Sequence, residues 1–461
     1  MGFKGVIENI YFNRTPVGEK EKRRGRKLFI LEGVSARTIF VLTSGAYLAG
    51  FANLMGADDS FNGLIGAVPA LAGIIQILSP MVFENLSRRK IWVSIFSFIH
   101  RLLLGGMVFI PLLVTEMSAR LYTIWAVYFI SYACTSFATP AASNWIVSLT
   151  DPRDRGGYFG TRDSIIFGVS TVFNLIMGRV LDVYKNNGME YTGFILVFSM
   201  ALVFAVINFL LLSSIKEPPA QKSATIPNLK EIFTVPLHDK KFKKVIGLFL
   251  MWNIGLQIGA PFFSVYMVTG LNLGYTYITI CNMITSVFLV VSARLWGKLA
   301  DRTSWPTVTM ATIGILALCH SIWFFTTPAN VYILMPINQI LGGIAWGGIN
   351  IALFNMQFDY SPEKGRTVYL GFNAAIGGIV GFACSALGSY IVKLLDGRTF
   401  QLLMVPVTKM QVVFGLSGIL LFACAFYIRI VFKNSVQKDL LMSMGKDTIQ
   451  KAVQKVKGIS G

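Results

Sequence analysis

An all-α membrane protein, with about twelve transmembrane helices in two pseudo-symmetric bundles of six, is what this sequence predicts. Three observations lead there. Hydrophobic residues make up 54% of the 461 residues and charged residues only 14%, whereas a soluble globular chain carries roughly 25% charged residues. Too little charge is present to cover a water-facing surface of this size, so lipid has to solvate much of it. The apolar residues also fall into stretches of the roughly 20 residues that a helix needs to cross the hydrocarbon core. Finally, two unrelated segments recur at nearly the same offset in the two halves of the chain.

The elements follow in order. Residues 1–27 form a polar, basic arm ending in Lys22-Arg23-Arg24-Gly25-Arg26-Lys27. It is too long and polar for a signal peptide, and Val6 stands where a myristoylation signal needs Ser or Thr. Spans are expected near 29–54, 60–83, 91–115, 121–147, 162–184, 192–215, 244–269, 273–296, 306–327, 331–356, 368–394 and 410–432. The central loop 216–243, opening with Glu217-Pro218-Pro219, divides a first bundle (28–215) from a second (244–433). Pro69, Pro140, Pro261 and Pro336 are candidate kinks. The tail 434–461 reads either as a basic amphipathic helix on the inner leaflet or as a disordered charged segment.

Net charge is +19, but the basic residues sit in short runs between apolar stretches, which excludes a nucleic-acid partner in favour of the positive-inside rule. The arm, Arg88-Arg89-Lys90, Arg153, Arg155, Lys240–Lys244, Arg302, Lys364, Arg366 and the tail fall on one side. The other side carries Asp58-Asp59, Glu116 and uncharged loops, with Arg120, Lys185, Arg398 and Lys409 as exceptions. Both termini are therefore expected in the cytoplasm, and the short loops favour a bacterial-type cytoplasmic membrane. The five cysteines each lie in an apolar stretch without metal-ligand spacing. No Walker motif, zinc cluster, nucleophile elbow or dinucleotide loop stands out, so no enzyme chemistry and no cofactor are expected.

The repeat is the most informative feature. Phe83-Glu84-Asn85-Leu86-Ser87-Arg88-Arg89-Lys90 follows the second span, and Trp296-Gly297-Lys298-Leu299-Ala300-Asp301-Arg302-Thr303 follows the eighth. Arg155-Gly156-Gly157-Tyr158-Phe159-Gly160 follows the fourth, and Arg366-Thr367-Val368-Tyr369-Leu370-Gly371 follows the tenth, with Asn144 and Asn355 in the same register. Gly297 to Arg302, and Arg155 to Arg162, resemble the loop motifs of the major facilitator superfamily, although the first-half copy has Glu84 and Arg88 where Gly and Asp are usual. The resemblance covers essentially all twelve spans. It implies two six-helix bundles, a central cavity, and transport of a small organic solute by rocker-switch alternating access, most simply as a monomer. Arg88, Arg89, Arg155, Arg162, Asp163, Gly297, Asp301, Arg302 and Arg366 then become gating candidates. Asp301 in particular would suit a helix N-terminus or a nearby arginine as a cytoplasmic latch; a solvated loop charge is the alternative.

In such a fold the first, fourth, seventh and tenth spans line the cavity. Here they offer Arg37, Thr43, Tyr47, Tyr132, Asn144, Trp252, Asn253, Gln257, Asn338, Gln339, Trp346 and Asn350. Amides, hydroxyls and aromatic rings together suit an uncharged or amphipathic solute; each is alternatively an interhelical hydrogen bond. Ionisable groups at membrane depth need a reason. Arg101 lies roughly 15 Å into its span at 1.5 Å per residue, so a partner inside the bundle is expected. Arg37, one turn beyond Glu32, is read either as that residue's partner or as an anion-attracting group at the cavity mouth. Glu32, His100, Arg101 and His320 are the coupling candidates, and without them facilitated diffusion or another ion remains open. The fifth span lacks the Gly-Pro pair of drug antiporters, which weakens an efflux reading. A transporter-like sensor or scaffold is the alternative from another class.

Overall fold

The computed structural model describes residues 17–83, 86, 88–150, 155–217, 229–362, 366–398, 400–402, 405–433 and 435–436. The expectations for the start of the arm, Arg153, Lys364 and the tail beyond 436 lie outside them, as do the side chains of Arg155 and Arg366. The described residues are helical apart from connecting turns and a two-stranded antiparallel ribbon, Phe400–Leu402 with Val405–Val407. Eleven described helices are long and apolar enough to cross a membrane, and a bent pair supplies a twelfth.

After the first, the spans run Asp59–Phe83, Lys90–Leu113, Met117–Ser148, Tyr158–Asn186, Glu190–Ser214, Phe242–Gly270, Tyr275–Arg302, Trp305–Phe325, Val331–Tyr360, Val368–Leu394 and Lys409–Val431. Leu113, Ile333 and Ile419 are among many large apolar side chains left exposed, as lipid contact requires. A short helix, Leu229–His238, precedes the seventh span.

The first span ends at Leu54 as expected but differs at its start and by a break in its interior. Its helix starts at Glu19 and takes in the basic run that the sequence placed in the arm. Lys and Arg are strong helix formers, Glu19 and Glu21 favour the positive helix start, and the Glu21 carboxylate accepts the Gly18 amide at 3.3 Å. Without any proline, the span then breaks between Glu19–Leu42 and Gly45–Leu54 with a 41° bend. Thr43 and Ser44 donate their hydroxyls back to the Ile39 and Phe40 carbonyls (2.8 and 2.5 Å), and Gly45 takes φ +56°. Side chains that compete for helix carbonyls, followed by a residue free to adopt a left-handed conformation, suffice to interrupt a helix. The expected kinks at Pro140 and Pro336 fall inside continuous helices. Pro261 follows a break at Ile258–Gly259 in the seventh span.

The chain forms two compact units. The first is Met1–Ile232 with Ala260–Ile280 and Ala374–Asp396; the second is Phe233–Gly259, Cys281–Asn373 and Gly397–Gly461. The first unit thus takes in parts of the seventh, eighth and eleventh spans besides the first half. One core of the first unit gathers Phe29, Phe83, Val93, Trp145, Leu149 and Ile215 where the first, second, third, fourth and sixth spans meet. In the second unit, close approach depends on small residues. A Cβ at Gly347 would stand 2.7 Å from the Leu289 carbonyl oxygen, so the tenth span packs directly on the eighth.

Candidate functional site

Arg101 finds its partner inside the first bundle. Its Nη2 donates to Glu32 Oε1 (3.0 Å) and its Nη1 to the Ser97 carbonyl (3.3 Å). Asn208 Nδ2 donates to both the backbone oxygen (2.9 Å) and Oε1 (3.2 Å) of Glu32. All three residues are buried. The first, third and sixth spans are therefore tied at one depth by a charge pair with additional hydrogen bonds, the form in which buried charge is tolerated.

The two histidines are similarly engaged. Ser131 donates its hydroxyl to the His100 carbonyl (2.8 Å), which leaves His100 Nδ1 to donate to Ser131 Oγ at 2.8 Å. Ser417 donates to the Gly255 carbonyl and receives His320 Nδ1 at 2.6 Å. All four coupling candidates, Glu32, His100, Arg101 and His320, thus hold helices together.

Arg37 does not pair with Glu32. Its guanidinium lies over the rings of Phe40 (5.2 Å) and Phe167 (4.7 Å), and its Nε is buried without a hydrogen-bond partner among the described residues. Arg162 donates to Asp163 at 3.0 Å, while its own Nε is also buried and unpartnered.

The remaining cavity candidates separate by the face they occupy. Thr43 is buried and bonds its own helix, and Tyr132 is buried against His100 and Tyr128. Asn338 is buried toward the ninth span. With its amide turned to suit its neighbours, it donates to the Cys319 carbonyl (3.2 Å) and accepts from Trp323. Gln339 accepts from Thr285 (2.9 Å) on the eighth span. Trp252 and Trp346 meet edge to face at 5.8 Å. Asn253 donates one turn back to Phe249, Gln257 is half-buried, and Asn144 and Asn350 are exposed.

Tyr47 belongs to a cluster that the sequence did not reveal, where the seventh, eighth and eleventh spans meet the first half within the first unit. Its ring stacks on Tyr275 at 5.4 Å and its hydroxyl donates to the Asn174 carbonyl at 3.0 Å. Tyr275 is 1% exposed, and a Cβ at Gly50 would collide with its hydroxyl at 1.9 Å. Asp182, on the fifth span, accepts the amides of Tyr275 (2.8 Å) and Thr276 (2.9 Å), capping the N-terminus of the eighth. Ser60 donates to the Ser389 carbonyl (2.9 Å) and Thr269 to Asp59 (3.1 Å) in the same region. A carboxylate one turn from the end of a span, facing a loop with Gly270 and Gly274, was the available signal for Asp182.

Just beyond the sixth span Glu217 plays a similar part, accepting the amides of Arg89 (3.1 Å) and Lys90 (3.0 Å) at the start of the third span. Burial pushes its carboxyl above the ordinary value, against the opposing effect of those two amides and of the Arg89 and Lys90 charges. Arg89 also donates from Nε to the Phe83 carbonyl (2.9 Å), and Arg88 is half-buried. The side chains of Asp301 and Arg302 are exposed and make no hydrogen bond or ion pair to a described residue; nothing stands within 4 Å of a Cβ placed on Gly297. Among the described residues no group of three or more His, Cys, Asp or Glu could hold a metal ion.

A duplicated set of spanning helices, with the Glu32–Arg101 pair buried inside the bundle, is the build of a membrane transporter rather than an enzyme. The sequence model of the Major Facilitator Superfamily matches residues 28–338, and the chain belongs to that superfamily. It carries small solutes across a membrane. Its fold is similar to that of the nucleoside transporter NupG (15% identity, 89% of this chain and 99% of that one, TM-score 0.61). It is also similar to a bacterial homologue of the iron transporter ferroportin in an inward-facing state (15%, 88% and 98%, 0.65) and to a D-xylose–proton symporter (14%, 88% and 97%, 0.65). At these identities the likeness is one of fold. No curated protein matches the chain by sequence.

Proposed function

We propose that this protein moves a small organic solute down or against a gradient by rocker-switch alternating access, acting as a monomer. Both termini face the cytoplasm of a bacterial-type cytoplasmic membrane. The observation that carries the mechanism is the cluster around Tyr47, Tyr275 and Asp182. It joins the first half to the seventh, eighth and eleventh spans at the end away from the N-terminal arm. Contacts between repeated halves at one end of the bundle are those that have to break when access alternates. In this reading the cluster is the outer gate, drawn closed. Of the cavity candidates, Arg37 and, each in its own half, the exposed Asn144 and Asn350 are retained as substrate contacts in this reading.

The contact between Ser60 and Ser389 offers the test. In a background with the five native cysteines replaced, cysteines at both positions should form a disulfide on oxidation. Solute flux into proteoliposomes should then stop, and reduction should restore it. Full flux through the oxidised protein would remove the gate. Absence of flux in the reduced protein under every imposed gradient would favour the sensor reading.

A further inference from the structure

The arginines within the first and third spans, half-buried Arg37 and buried Arg101, are treated oppositely. Arg101 is met by Glu32, with Ser97 and Asn208 completing the arrangement. Arg37, five residues after Glu32 on the same helix, receives no carboxylate among the described residues. Its Nε makes no hydrogen bond, and its neighbours are the rings of Phe40 and Phe167. Glu32 cannot serve it, being committed to Arg101, and Asp163 is held by Arg162.

A second guanidinium stands nearby. Arg162 Nη2 lies 3.0 Å from where a Cβ on Gly33 would be, one helical turn from Arg37 on the same face. Among the described residues two guanidinium groups stand against one carboxylate, which leaves an uncompensated positive charge between the first and fifth spans. A guanidinium has five donors and does not give up its proton, and an uncompensated charge at membrane depth is expensive. Such a position is retained where its counter-charge arrives and departs.

We propose that Arg37 binds the anionic group of the transported solute, a carboxylate or phosphate ester, and that the substrate is therefore a small organic anion. The planar fork suits two parallel hydrogen bonds to such a group. The Phe40 and Phe167 rings hold the guanidinium by cation–π contact and offer apolar contact to the body of the solute. This rests on the transporter reading above and sets an anionic solute in place of the uncharged or amphipathic one that the polar lining alone suggested.

Purified full-length protein in a neutral detergent, without added lipid, is titrated with matched acids and neutral counterparts: benzoate and benzamide, phenylacetate and phenylacetamide, succinate and succinamide, phenyl phosphate and phenol. At least one acid should bind, about 10- to 100-fold more tightly than its neutral counterpart, the range expected for a charged hydrogen-bonded pair. Arg37→Gln should bring that acid to the level of its counterpart, and Arg37→Lys should fall between. With no ligand present, Arg37→Gln should melt at or above the temperature of the native protein, whereas Arg101→Gln should melt below it.

Preference for the neutral compounds, an acid preference that survives Arg37→Gln, or no acid binding up to tens of millimolar would each overturn the proposal. So would a melting temperature that Arg37→Gln lowers as far as Arg101→Gln does. An anionic lipid could offer the same phosphate chemistry. Arg37-dependent binding of phosphatidylglycerol with no soluble acid bound would assign the anion to a headgroup and reject the solute. Failure of the transporter reading is distinguishable: acids would bind through Arg37 yet show no flux in proteoliposomes. Flux of a neutral solute independent of Arg37 would keep the transporter and discard the anion.

Discussion

At the scale of single residues, the same side chain means different things at different partners. The need of Arg101 for a carboxylate was legible in the sequence from its depth alone. The identity of that carboxylate was not, because it depends on which helix faces meet. Glu32, four residues in sequence from Ala36 and five from Arg37, looks toward the third and sixth spans instead. Arg101→Gln should therefore destabilise the protein by about 3–5 kcal/mol, the cost of leaving one member of a buried pair. Glu32→Gln combined with Arg101→Gln should recover part of that loss in a detergent melting series. A double variant no more stable than Arg101→Gln would argue against the pair. Glu217 gives a pH-dependent case. A carboxyl whose folded pKa lies above its unfolded value favours the fold while protonated, and that contribution fades as pH rises through the folded value. Glu217→Gln, a neutral mimic, should thus match or exceed native stability at about pH 7, and the difference should shrink toward pH 4. A deficit of equal size at both pH values would contradict this.

At the scale of elements, the spans were readable because each one fills the hydrocarbon core with apolar residues, a constraint written locally in the chain. The break in the first span was not, since no proline marks it and two hydroxyls with Gly45 do the work. Nor were the fates of Tyr132 and Asn338 legible. Whether a polar side chain meets a neighbouring helix or open space is decided by the rotation of its helix, which packing sets. Glycines sort the same way. Gly50→Ala should destabilise the protein by about 1–3 kcal/mol, because the added methyl falls on the Tyr275 hydroxyl and overpacks the contact. Gly297→Ala, in open space within a helix, should leave stability unchanged or raise it by up to about 1 kcal/mol. Parallel thermal melts of the two variants check both.

At the scale of the whole molecule, the duplication was legible at Leu86 and Leu299 and at the Arg155 and Arg366 turns, and with it the superfamily. The far-end cluster was not, because Asp182, Tyr275 and Ser389 come from separate spans and share no motif. The broken first span now acquires a mechanical meaning. Its longer part, Glu19–Leu42, is pinned near its middle by Arg101 and Asn208, whereas Gly45–Leu54 is held chiefly by aromatic stacking and close packing. The break thus separates a clamped shank from a tip gripped without any charge pair among the described residues. In the proposed alternating-access cycle the tip would swing away from Tyr275 while the shank stays still, so opening that end would not require unfastening the Glu32–Arg101 pair.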